Sequence, residues 1–179
     1  GPHISNSMND TSFPRDTSIA GPGRPAHDCG EHHWLDQLAS WLERRLDETV
    51  GWQHSSRLYG ITVIDRESLI AGTPDGNDAA RVTYLAQGWV YDLLDSPSAG
   101  IATEYDALGL CCFGRATHLE TLERSRCRTV LVADSTGQSC VNRLRGRTPE
   151  LTGRPSGPVA DRVSALFEGQ RATEARRRP

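Results

Sequence analysis

Three groups of residues have the types and spacings that chemistry needs. The first is five cysteines, Cys29, Cys111, Cys112, Cys127 and Cys140. An odd count with no secretory leader points to reduced thiols and a cytoplasmic protein. Thiolate and imidazole ligands suit zinc or iron, and two places offer them. In His27-Asp28-Cys29-Gly30-Glu31-His32-His33, Cys29 and His33 stand at i, i+4 with His32 beside them. Later in the chain, Cys111 and Cys112 with His118 could form a thiol–imidazole pair for catalysis or redox sensing. A four-cysteine cluster fits the spacing badly. With a hairpin turning at Ser135–Gly137, Cys140 falls opposite about Val132, and Cys127 lies five residues further on, roughly 16 Å along the strand. Cys111 and Cys112, adjacent in a strand, point to opposite faces. Buried small hydrophobes are the simpler account of these thiols.

The second group is arginine. All 20 basic residues are arginine. Residues 1–105 carry 15 acidic residues against 7 arginines, whereas residues 106–179 carry 8 against 13. Such a split can steer an anionic partner, or the acidic half can lie against the basic half. Arg124, Arg126 and Arg128 recur at period two, as do Arg143, Arg145 and Arg147, so each set lies on one face of a strand. Register decides whether the sets meet. A four-residue loop at Asp134–Gly137 pairs Arg128 with Arg143 and Arg126 with Arg145, a basic ladder that calls for an anion. A three-residue loop with a bulge, the expected form with glycine left-handed, puts the sets on opposite faces. A nucleic-acid reading would want exposed aromatics among the arginines, and no Phe, Trp or Tyr stands between Arg115 and Arg154, which weakens it.

The third group is aromatic and mixed. Tyr84 and Tyr91 lie one heptad apart, a packed flank or a ligand surface. Tyr105, Arg115 and His118 could line a pocket at the end of a buried strand. The glycine-rich nucleotide loops, HExxH and GxSxG are all absent, which removes the familiar routes to dinucleotide binding, phosphate-loop and zinc-protease chemistry.

These residues need elements to hold them. Gly1 to about Asp28 is rich in Gly, Pro, Ser and Asp and reads as a disordered tail, opening on a tag remnant at Gly1-Pro2-His3 with Met8 as the start. A helix over Glu31–Thr49 buries Trp34, Leu35, Leu38, Trp41, Leu42 and Leu46, leaving Glu43, Arg44, Arg45, Asp47 and Glu48 wet. Arg57–Ile64 reads as a strand, with a short further strand at Leu69–Ala71. Asn77–Asp95 reads as the organising helix, its stripe formed by Val82, Leu85, Ala86, Trp89, Val90, Leu93 and Leu94. Ala107–Phe113 is a strand buried on both faces and extended towards His118. The hairpin of 126–133 and 138–145 follows, then a short helix through Val159, Val163, Leu166 and Phe167. The end from Arg171 reads as an arginine-rich tail.

The sum is an α+β fold, one domain over 29–169, with a mixed or antiparallel sheet packed by two main helices and a short C-terminal one. No apolar run reaches the ~20 residues that span a bilayer. The run Trp89-Val90-Tyr91-Asp92-Leu93-Leu94, then Tyr105-Asp106-Ala107-Leu108 and Gly114-Arg115-Ala116-Thr117-His118-Leu119, resembles a family of small uncharacterised actinobacterial proteins over Ala79–Gly169. Here arginine stands where that family would carry tryptophan after Gly114. The resemblance implies a common fold and origin and no activity.

The functional expectation is a non-enzymatic, regulatory binding module for a partner protein or anionic ligand, possible also as a homodimer. Its expected contacts are Tyr84, Tyr91, Tyr105, Arg115, His118, Arg126, Arg128, Arg143 and Arg145. A metal- or thiol-dependent protein using Cys29, His32, His33, Cys111 and Cys112 is the first alternative, and a nucleic-acid binder using the basic half the second.

Overall fold

The computed structural model describes residues 4–5, 33–71, 78–118 and 120–177. In chain order the elements are β1 (Ile4–Ser5), α1 (His33–Thr49), β2 (Ser56–Val63), α2 (Arg66–Ala71), β3 (Ala80–Gly88), α3 (Val90–Asp95), α4 (Pro97–Ala102), β4 (Ala107–His118), β5 (Arg124–Asp134), β6 (Gly137–Leu144), β7 (Glu150–Gly153) and α5 (Pro158–Arg177). The strands form one antiparallel sheet in the order β3-β2-β4-β5-β6-β7, with β1 beside the far end of β4. The fold is α+β, as the pattern of elements indicates.

Both faces of the sheet are covered. Leu35, Leu38 and Leu42 of α1 pack with Leu69 of α2 on Tyr59, Cys111, Val130 and Val141. On the other face Val90, Leu93, Ala99, Val159 and Phe167 of α3, α4 and α5 pack on Leu58, Leu110, Leu131 and Cys140. That is why β4 and β5 read as continuous apolar runs: alternate residues enter two different cores. Helix α1 closes where the Val50 and Gly51 N–H groups both bond to the Leu46 carbonyl, at 2.8 and 2.9 Å. Asp65 caps α2, its carboxylate taking the Ser68 N–H at 3.2 Å and the Ser68 hydroxyl at 2.6 Å. Those hydrogen bonds hold the Asp65 carboxyl below the usual carboxylate range.

Three expectations are corrected. The helix over Asn77–Asp95 is instead strand β3 followed by the short helix α3, while residue 77 lies outside the described residues. The β2–β3 register shifts between Leu58 and Tyr59, so Leu85 is an extra residue between the pairs Leu58–Ala86 and Tyr59–Tyr84. That bulge breaks the strict alternation of a strand and spaces Val82, Leu85 and Ala86 as a helix would. Gly88, at φ 154°, takes a conformation other residues rarely adopt and ends the strand. Leu69–Ala71 is helical rather than a short strand. Helix α5 continues through the arginines to Arg177.

Candidate anion site

The arginines are brought together by the hairpin, and the register is the one that makes a ladder. Arg128 stands opposite Arg143 on one side and Phe113 on the other. One row further, Arg126 stands opposite Arg115, and the Arg145 N–H bonds to the Arg126 carbonyl at 2.9 Å. The expected three-residue loop with a bulge does not form. Asp134 pairs directly with Gly137, and its carboxylate accepts the Thr136 N–H at 2.7 Å, the Thr136 hydroxyl at 2.6 Å and the Gly137 N–H at 3.1 Å. The side chain closes the turn, so no left-handed glycine is required. All five arginines therefore share the face covered by α1.

The first row is answered from within. Glu43, expected on the wet side of α1, is completely buried, as is Arg128. Arg128 Nη2 donates to Glu43 Oε2 at 2.6 Å and to Asp47 Oδ1 at 2.7 Å, and Nη1 to the Gly51 carbonyl at 2.8 Å. Arg143 grips Glu43 with a two-pronged contact, Nε at 2.7 Å and Nη2 at 2.8 Å. The fork geometry of arginine suits this pairing of one carboxylate with two guanidiniums. The Trp52 ring lies 4.9 Å below the Arg128 guanidinium and meets Phe113 edge-on. Hydrogen bonding to Arg128 holds Asp47 below the usual carboxylate range. Arg128 and Arg143, expected as ligand contacts, are thus committed to fixing α1 on the hairpin.

The second row is different. Arg126 is half-buried, donates to the Gln53 carbonyl and stacks 5.5 Å from Trp52. Burial first, then repulsion from Arg145 and Arg115, pushes its guanidinium below the usual arginine range. Arg115 and Arg145 are exposed. Among the described residues, no carboxylate forms an ion pair with any of the three. Beside the row lies a cleft of about 420 Å³, lined by His54, Ser56, Trp89, Phe113, Arg115 and Arg126 among others. Trp89, expected in a buried helical stripe, is 39% exposed. Arg115 and Arg126 line the cleft and Arg145 adjoins Arg126; such a cluster of cations attracts an anion, and the apolar rings beside it strengthen the contact by excluding water.

The other expected contacts are scattered. Tyr84 sits on the edge strand β3, edge-on to Tyr59 and under the Arg57 guanidinium. Tyr91 is in α3 on the opposite side of the sheet, against Trp89 and Arg162. The two share no flank, because the helix that would have aligned them is a strand and a separate turn of helix. Tyr105 packs its ring onto Gly60 of β2. It precedes β4, while Arg115 and His118 close it, a span of roughly 26 Å along the strand. Tyr105 and Arg115 are therefore too far apart along the strand to line one pocket. The side chain of His118 lies outside the described residues.

The thiols separate in the same way. Cys111 faces α1 and Cys112 faces α3–α5, both fully buried. Burial pushes the Cys112 and Cys127 thiols up to about 12, and burial with the neighbouring Cys112 pushes the Cys111 thiol up too. Thiols in that range are poor nucleophiles at neutral pH. Cys140 pairs with Leu131, four residues along β5 from Cys127. Cys29, His32 and the His33 side chain lie outside the described residues, and among those described no group of three metal-ligating side chains gathers.

Sequence reasoning missed Glu43 and Asp47, although two carboxylates one helical turn apart facing a basic ladder were a usable signal. It also missed Trp52, Gln53, His54 and Trp89, which reach the site from the connections after α1 and β3. Among the described residues no helix is long and apolar enough to cross a membrane. No family model, curated protein or solved structure matches the chain.

Proposed function

We propose that the protein is a non-enzymatic binding module that takes an anionic group of a ligand or partner protein at Arg115, Arg126 and Arg145. The observation that carries this reading is the contrast between neighbouring rows of one sheet face. Arg128 and Arg143 meet Glu43 and Asp47, whereas the next row borders the cleft with no carboxylate of its own among the described residues. The buried, high-pKa thiols favour binding over thiol catalysis. Pyrophosphate is a suitable first probe, followed in thermal-shift assays by a panel of dicarboxylates. At a hundredfold excess over Kd a bound anion adds ~2.7 kcal/mol, a shift of several degrees for a domain of this size. Arg126→Gln should abolish the shift. An equal shift in wild type and variant would remove the site. The exposed Trp89 ring beside the guanidiniums favours a second reading, single-stranded nucleic acid stacked on that ring. Three phosphate contacts would then give a log–log salt slope of roughly −2.

A further inference from the structure

We infer that Trp52 is the positioning residue of the anion site, holding the Arg126 guanidinium in one plane so that its fork takes a group with two adjacent oxygens, carboxylate or phosphoryl. This rests on the arginine-row reading and names how the row selects its ligand. Gly51, Trp52 and Gln53 follow one another in the connection between α1 and β2, and each meets an arginine of β5. The Gly51 carbonyl accepts from Arg128 Nη1 at 2.8 Å. The centroid of the Trp52 ring lies 4.9 Å from the Arg128 guanidinium and 5.5 Å from that of Arg126. The Gln53 carbonyl accepts from Arg126 Nη2.

The two arginines differ in freedom, and the ring joins them. Arg128 is fully buried and bonded to Glu43 and Asp47 at 2.6 and 2.7 Å, so it fixes one contact of the ring. Phe113 fixes another, edge-on with the centroids 6.3 Å apart. A ring held from two sides is a rigid platform for the third contact, Arg126. A long side chain loses rotamer freedom when it binds a ligand, and a platform that removes that freedom beforehand strengthens binding. The Gln53 carbonyl sets how the guanidinium is turned within its plane. Gln53 is itself anchored, its Oε1 accepting from Arg57 Nη2 at 2.9 Å. Nη2 belongs to both forks of a guanidinium, and the carbonyl takes one of its two hydrogens. One complete fork therefore has no acceptor among the described residues. Two parallel N–H···O bonds to a carboxylate or phosphoryl group fit that fork, and a lysine ammonium offers no such pair. Among the described residues no aromatic ring lies against the guanidinium of Arg115 or Arg145. Those two supply charge, and Arg126 supplies direction.

The test uses the full chain, with pyrophosphate titrated by calorimetry well below Tm and NMR of the arginine guanidinium groups without ligand. The Arg126 signals are those missing from Arg126→Lys. In the wild type they should show hindered rotation of the guanidinium, and in Trp52→Leu free rotation. Trp52→Leu should weaken pyrophosphate binding about three- to tenfold, the effect of ordering one long side chain only on binding. Trp52→Phe keeps an aromatic face and should retain most of the affinity. Leu69→Ala loosens the same α1 core away from the ring and should leave the affinity of the folded protein unchanged. Wild-type affinity in Trp52→Leu, an equal loss in Leu69→Ala, or a freely rotating Arg126 in the wild type overturns the positioning role. The two readings fail differently. If the wild type does not bind pyrophosphate, the arginine-row reading falls and the positioning role with it. If Arg126→Gln abolishes binding and Trp52→Leu leaves it alone, only the positioning role falls.

Discussion

Replacing Glu43 by glutamine removes the single buried carboxylate that holds two guanidiniums. Its oxygens receive three N–H donors from Arg128 and Arg143 at 2.6 to 2.8 Å. Glutamine keeps one acceptor, turns an NH₂ group towards donors, and leaves Arg128 and Arg143 paired across the strands without that charge. Breaking a buried ion pair by deleting one partner costs about 3–5 kcal/mol, chiefly because the other charge stays buried. Asp47 remains within 2.7 Å of Arg128 and 3.7 Å of Arg143, so the lower end, about 3 kcal/mol, is expected. At ~2–4 °C per kcal/mol for a domain of this size, Tm should fall by about 6–12 °C. Urea denaturation at pH 7 should show a lower midpoint with an unchanged slope. Replacing Glu43, Arg128 and Arg143 together by apolar residues of similar volume should recover most of the loss, since whole buried ionic sets often exchange at little net cost. A Glu43→Gln variant within ~0.5 kcal/mol of the wild type would refute the reasoning, because the cluster would then be solvated rather than buried.

Asp47 lies at the wetter margin of the same cluster and reports on acid. Its folded pKa is depressed by Arg128 and Arg143, so its contribution is complete above the unfolded value of ~3.9 and disappears as pH falls through the folded value. Asp47→Asn should cost under about 1 kcal/mol at pH 7 and flatten stability between roughly pH 4 and pH 2; an acid limb unchanged from wild type would contradict this. At Gly60, an added Cβ would meet the Tyr105 ring at 2.4 to 2.6 Å. Gly60→Ala should therefore destabilise by about 1–3 kcal/mol, and Tyr105→Ala in the same chain should relieve part of it; an unaffected Gly60→Ala midpoint would show that the ring moves freely.

What the sequence made legible follows physical period. Helix α1 has a clean 3.6 repeat, strand β2 is β-branched, and β4 and the hairpin are marked by apolar runs of strand length and a turn between them; all four stand within a few residues of expectation. Strand β3 failed because an edge strand is only half-buried and its bulge at Leu85 gave apolar residues helical spacing. The arginine ladder was legible as two period-two sets, but the register was not. It hung on the Asp134 side chain, which closes the turn more tightly than the expected glycine geometry. The charge split between the halves of the chain was visible from composition. Glu43 and Asp47 meet Arg128 and Arg143 from 81 to 100 residues away; the helical-turn spacing of the carboxylates hinted at a shared partner, but only the tertiary fold says which arginines it is. The cleft combines residues from four separate stretches, and spacing along the chain cannot announce such a meeting.

The distance between Glu43 and Arg143 also sets a schedule. Helix α1 is among the first parts of the domain to be made, yet the arginine partners of its carboxylates, Arg128 and Arg143, and much of its apolar cover, Val130, Val132 and Val141, come about a hundred residues later. At ~5–20 residues per second of synthesis, Leu35, Leu38, Trp41 and Leu42 wait about 5–20 s for the hairpin to arrive. During that interval the helix presents an apolar stripe with an acidic margin and no cover from β5 or β6. The nascent chain is therefore most exposed to aggregation, and most open to chaperone capture, before β6 emerges. A chain truncated before Gly137 would prolong that state indefinitely.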